Sequence, residues 1–83
     1  MTQHDIIEKA MLTNPQKKWW YASDFQHGEY FVGYEASPRM SELKKMKPTL
    51  FLEERDGRFR ILAINWDNEK LIKEEKERLG IIC

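Results

Sequence analysis

The sequence is poor in cysteine, histidine and glycine, with one, two and four of them among 83 residues. One cysteine closes no internal disulfide and does not assemble the ligand set of a structural zinc site. A chain without paired thiols suits a reducing, cytoplasmic compartment. The glycines form no strand-to-helix phosphate loop. His4 and His27 have no Cys, Asp or Glu at metal-ligand spacing, and Asp24, close to His27, has no nucleophile to complete a catalytic set. No apolar run approaches the ~18 residues of a membrane span, and Met1-Thr2-Gln3-His4-Asp5 lacks the basic-then-apolar order of a secretory signal. An excess of one charge is missing too: 14 Lys and Arg balance 14 Asp and Glu. That balance argues against coating nucleic acid by bulk charge. These absences leave an enzyme reading without support, and imply no metal, no cofactor, no small-molecule substrate and no membrane partner.

The length bounds the rest. A chain of this size makes one domain, too small for a barrel or a doubly wound sheet. It buries only about 60–65% of the surface its unfolded form exposes. An apolar share of 41% and an aromatic share of 12% still suffice for a core. The balanced charge is unevenly placed. Residues 1–34 carry 3 basic and 4 acidic side chains, residues 35–60 carry 7 and 5, and residues 61–83 carry 4 and 5. The middle third is therefore net +2 between two stretches of net −1.

Helical spacing of Ile6, Ile7, Ala10 and Met11 predicts a helix over 4–13, ended by Asn14-Pro15. Lys17-Lys18-Trp19-Trp20-Tyr21 reads as a short extended segment that pairs with something later. One of its two tryptophans then faces away from the core. Ser23 is placed to cap a short helix through Gln26, stopped by His27-Gly28. Tyr30, Phe31 and Val32 read as core plugs in the turn that follows. Ser37-Pro38 reads as an N-cap and first helical residue, opening a helix with Ala36, Met40, Leu43 and Lys47 on one stripe and Ser41, Glu42 and Lys45 opposite. Pro48 closes it. Two strand-like runs, 50–55 and 58–64, flank Asp56-Gly57, a strong two-residue hairpin signal. That register sets Arg55 opposite Arg58, Glu53 opposite Arg60 and Leu52 opposite Ile61. Asp67 is placed to cap a last helix over about 68–79, ended by Gly80, with Leu71, Ile72 and Leu79 as its apolar contacts and Ile81-Ile82-Cys83 as an apolar tail.

The order is helix, short strand, short helix, turn, helix, hairpin, helix. Three runs stand out: Trp20-Tyr21-Ala22-Ser23-Asp24-Phe25, the stretch from Phe31 through Arg39-Met40-Ser41-Glu42-Leu43, and Gly57-Arg58-Phe59-Arg60. On these the segment from Trp20 to Arg60 resembles the small winged helix-turn-helix proteins of phages and mobile elements. The resemblance implies an α+β fold: a three-helix core with a short strand and a two-stranded wing, in one domain over 1–83, with residues 67–83 appended as a C-terminal helix and tail. It implies a cytoplasmic DNA-binding protein, a small transcriptional regulator or accessory factor. The second long helix would enter the major groove and the wing would lie on the backbone.

Within that expectation Arg39 is the candidate for a bidentate guanine contact, and Ser37 for a phosphate. Ser41 and Lys45 lie on the outward pole. Lys44 and Lys47 suit phosphates, as do Lys17 and Lys18. Arg55 and Arg58 at the hairpin tip reach flanking backbone or minor groove. Plain structural roles compete with each of these. The lysines also read as a solvated helix face, Arg39 and Glu42 as an i,i+3 pair, and Arg60 and Glu53 as a cross-strand pair. A second function fits other features. Glu53, Glu54 and Asp56 in the wing, zero net charge and the apolar C-terminus suit a protein-interaction module, and Leu71, Ile72, Leu79, Ile81 and Ile82 could form a homodimer seam or pack back on the first helix.

Overall fold

The apolar spacing that starts at Ile6 is realised as helix α1, Gln3–Thr13. Thr2 caps it by accepting the Asp5 N–H at 3.2 Å, and Asn14 ends it in a non-helical conformation before Pro15. The computed structural model describes residues 2–26 and 32–81, with Tyr34 by its backbone alone. The expected helix stop at His27-Gly28, the plugs Tyr30 and Phe31, and Ile82 and Cys83 of the tail lie outside the described residues.

After α1 the chain runs extended to Trp20. A 3-10 turn follows over Ala22–Phe25, then a second over Gly33–Glu35, which leads directly into helix α2, Ala36–Met46. Strands β1, Phe51–Asp56, and β2, Phe59–Ile64, form an antiparallel hairpin, and helix α3, Glu69–Arg78, closes the described chain. The fold is thus α+β, with three α-helices and a two-stranded sheet. Among the described residues no helix is long and apolar enough to cross a membrane.

The expected pairing of the aromatic segment is met on the far side of β2 from β1. Trp20 donates its N–H to the Leu62 carbonyl at 2.8 Å, and Leu62 returns the bond at 3.1 Å. Of the two tryptophans, Trp20 is the buried one, stacked on Phe25 with ring centroids 5.3 Å apart. Trp19 is half-buried, with the Lys18 ammonium 5.6 Å from its ring. The core joins Ile7, Ala10 and Met11 of α1 to Ala36, Met40 and Leu43 of α2, Leu50 and Phe51, Leu62 and Ile64 of β2, and Ile72 of α3.

Three expected caps are displaced. The first 3-10 turn is not capped by Ser23: Asp24 reaches back and accepts the Tyr21 N–H at 2.8 Å. Helix α2 starts one residue before Ser37, because the preceding 3-10 turn delivers the chain already wound. Ser37 is its second residue and Pro38 its third, where the missing N–H lacks an intrahelical acceptor in any case. The cap of α3 is Asn68, whose side chain accepts the Leu71 N–H at 3.5 Å, and not Asp67. At the other end, Gly80 at φ +74° lets its N–H reach the Glu77 carbonyl at 3.2 Å and the Ile81 N–H reach Lys76 at 2.8 Å, a Schellman closure.

The hairpin register is also corrected. Asp56 pairs with Phe59, Arg55 with Arg60, Glu53 with Leu62 and Leu52 with Ala63, so the turn is Gly57-Arg58 and not Asp56-Gly57. The reason lies in the backbone. Gly57 takes φ +62° and no described non-glycine residue has positive φ. A turn with positive φ only at its first central position is of the II′ type, which needs one glycine there, whereas type I′ would force Asp56 into the left-handed region.

α3 is joined to the rest partly through ions. Glu8 of α1 is fully buried, with Lys47 Nζ at 2.6 Å and Arg78 Nη2 at 3.2 Å. Glu75 of α3 is paired with Lys47 and lies 2.8 Å from Arg78 Nε, while Asp5 is 3.0 Å from Arg78 Nη1. Lys47 is therefore not a free phosphate ligand; it sits between two carboxylates on different helices. Burial pushes the Glu8 carboxyl above its ordinary value, although hydrogen bonding and charge from Lys47 pull the other way. Burial also acts upward on Glu75, but hydrogen bonds from Lys47 and Arg78 outweigh it and hold this carboxyl low.

Candidate nucleic-acid interface

The stripe of α2 formed by Ala36, Met40 and Leu43 faces the core. Helical geometry then places Ser37, Ser41 and Lys44 on one flank, Lys45 on the outward pole, and Arg39 and Glu42 on the other flank. The two flanks meet different neighbours. On the first, Ser41 Oγ accepts from Arg60 Nη1 of the hairpin at 2.6 Å. On the second, Glu42 Oε1 takes Arg39 Nη1 at 2.7 Å and lies 2.8 Å from His4 Nε2 of α1. The hairpin thus lies beside the serine flank, and α1 beside the Arg39 flank.

Arg39, the expected base reader, is committed in this arrangement. It pairs with Glu42, and its Nε is buried without a hydrogen-bond partner among the described residues. To contact a guanine it must first leave Glu42. Lys44 donates to the Pro48 carbonyl at 3.0 Å, and Lys17 lies 3.3 Å from Asp24 and 5.2 Å from the Trp20 ring. Lys45 and Ser37 are exposed.

The hairpin supplies the other half. Alternation along the strands puts Glu53, Arg55, Arg60 and Leu62 on one face. Arg55 and Arg60 are directly opposite each other on it. Like charges so placed repel. Arg60 is relieved by Glu53, 3.3 Å away on the diagonal, so the expected pair forms but not as direct neighbours. Arg58 lies over the ring of Phe59, 5.5 Å from its centroid. At the tip, Asp56 accepts the phenolic hydroxyl of Tyr21, tying the hairpin to the first 3-10 turn. That hydrogen bond, with a smaller contribution from burial, pushes the Tyr21 phenol above its ordinary value.

Between these parts lies an open cleft of about 720 Å³. Arg55, Arg58 and Arg60 line it from the hairpin, Ser37 from the start of α2, and Tyr21, Ser23 and Gln26 from the first 3-10 turn and its end. Asp56 is its one acidic residue, and Phe59 its large exposed apolar one. Three of the expected residues, Ser37, Arg55 and Arg58, thus come together. Arg39 does not join them, and Ser41 touches the group only through Arg60. Arg60, assigned from the sequence to a structural pair, and Phe59 are additions. The expected register hid Arg60: with the turn one residue earlier it set Arg58 opposite Arg55, whereas the observed pairing is shifted by two residues and puts Arg60 there. A second, shallower groove of about 290 Å³ lies along α3, where Lys76 sits 5.9 Å from the Trp66 ring. No cluster of three or more potential metal ligands occurs among the described residues. In comparisons with known proteins, no family model, curated protein or solved structure matches the chain.

Proposed function

We propose that the chain is a DNA-binding winged-helix protein, acting as a small regulator or accessory factor, with α2 as the recognition helix and the β1–β2 hairpin as the wing. The order supports the winged-helix reading: a short segment paired to the far edge of β2, a 3-10 turn, α2, and the hairpin directly after it. One observation carries the DNA reading. Three hairpin arginines and the first turn of α2 open onto a single cleft; its one lining carboxylate is already hydrogen-bonded to Tyr21, and Glu53 beside it engages Arg60 alone. Arg55 and Arg60 repel across the strand pair, and Glu53 relieves only Arg60, so a further anion beside Arg55 would be stabilising. A phosphate backbone supplies such anions, and the serine hydroxyls and Lys45 extend the same surface.

The test is fluorescence anisotropy of a labelled mixed-sequence duplex at low and at physiological salt. About four phosphate contacts would give a log–log salt slope of about −3.6. Arg58→Ala should flatten that slope by about 1. Binding no tighter than that of a neutral control protein sinks the reading. The remaining candidate is then the protein-interaction module suggested by Glu53, Glu54 and Asp56. Its expected dimer seam is largely consumed within the chain, since Ile72 and Leu79 are buried in the core and Leu71 and Ile81 pack against it.

A further inference from the structure

Phe59 is 55% exposed at the hairpin tip, although a two-residue turn asks for no aromatic side chain there. Arg58 lies over its ring, and Arg55 and Arg60, though on the opposite face of the strand pair, line the same cleft. The cleft volume of about 720 Å³ is within the roughly 300–1,000 Å³ typical of small-ligand sites, too small for a duplex and sufficient for a nucleotide. Its wall opposite the hairpin carries Ser23 and Gln26, which offer both donors and acceptors. An apolar ring, guanidinium groups and amide or hydroxyl edges are what a base, its phosphate and its polar rim require, in that order.

We propose that this cleft receives one unpaired nucleotide, its base stacked on Phe59 and its phosphate held by Arg58, so that the protein prefers DNA where a duplex meets a single strand. The inference rests on the DNA-binding reading and narrows it. Bases inside a duplex present edges and no free face, and a terminal pair is held in the helix and cannot turn into the cleft, so Phe59 has nothing to stack on there. At a junction the first unpaired base is free to turn toward the hairpin while the paired part lies along α2.

The test compares three labelled DNAs by anisotropy: a blunt duplex, the same duplex with a short single-stranded overhang, and the overhang version with abasic sites. The expected result is tighter binding of the overhang form by about five- to 150-fold, the worth of one stacked base. Removing the overhang bases should erase the advantage. Phe59→Leu keeps an apolar side chain but no ring face, and should bring the overhang-to-blunt ratio close to one, with thermal unfolding as the check on folding. A 2-aminopurine at the first unpaired position should change fluorescence on binding the parent protein and not the variant. Equal affinity for blunt and overhang duplexes overturns this proposal while leaving the DNA reading intact, as does a preference that survives Phe59→Leu. Failure to bind any of the three DNAs overturns both.

Discussion

Replacing Lys47 by Met tests whether the ionic junction organises the fold. Lys47 Nζ lies 2.6 Å from the fully buried Glu8 and also contacts Glu75, whose side chain is 8% exposed. Methionine keeps most of the apolar stem and removes the charge. Two buried carboxylates are then left with Arg78 as their main counter-charge. Removing one member of a buried pair costs about 3–5 kcal/mol, because the other stays desolvated and unpaired. Lys47 is 21% exposed and Arg78 remains, so the low end, about 3 kcal/mol, is expected. A chain of this length has a total stability of about 4–12 kcal/mol, so the loss is a large fraction of it. With a urea dependence of about 1 kcal/mol per molar, the unfolding midpoint should fall by about 3 M. Tryptophan fluorescence reports it, since Trp20 is buried against Phe25. The cost should shrink near pH 4, where Glu8, already raised by burial, accepts a proton and no longer needs Lys47. Adding Glu8→Gln to Lys47→Met should restore part of the loss at pH 7. A loss below about 1 kcal/mol at pH 7, or an equal loss at both pH values, would refute the reasoning.

Other consequences are as direct. Asp5 and Glu75 are held below their ordinary values of 3.8 and 4.5, in each case against the upward push of burial, by Arg78 for the first and by Lys47 and Arg78 for the second. Their contributions are complete above those ordinary values and are lost as pH falls through the lower folded-state values. Glu8 has the opposite sign: its contribution is present below 4.5 and is lost as pH rises through its raised value. Urea midpoints measured across the acid range should therefore fall below about pH 4, and Glu75→Gln should make that fall shallower. Gly80→Ala meets no atom within 4 Å but must hold φ +74°, so it should lower stability by about 1 kcal/mol through the backbone alone, read as a melting-temperature drop of about 4–8 °C. Leu43→Ala should cost about 3 kcal/mol in a urea titration, since Leu43 is 1% exposed in the α1–α2 packing.

Much of the fold was legible in local pattern. The stripe Ala36, Met40, Leu43 required a buried face, and α2 has it. Alternation in an extended segment required the two tryptophans to part, and they do. Turn chemistry was legible only in outline. A hairpin at Asp56-Gly57-Arg58 was forced by the flanking strands, but two turn types compete for one glycine, and the choice moved the turn by one residue and each cross-strand partner by two. That shift decides which arginine faces Arg55. The candidate site was half legible: Ser37, Arg55 and Arg58 were named, Arg60 and Phe59 were not, and Arg39, also named, is held away from the cleft by its pair with Glu42.

Residue spacing and composition alone determined the helices, the hairpin, the aromatic strand and the uneven charge, because each depends on contacts a few residues apart. Tertiary structure alone decided the fate of the charges. Lys45, in the last turn of α2, and Lys47, just past its end, lie two positions apart, yet Lys47 is drawn between Glu8 and Glu75 while Lys45 stays in solvent. Local sequence carries no trace of that difference. A lysine's role is set by which carboxylates another helix brings within reach, and in this chain those carboxylates are 39 and 28 positions away, at Glu8 and Glu75.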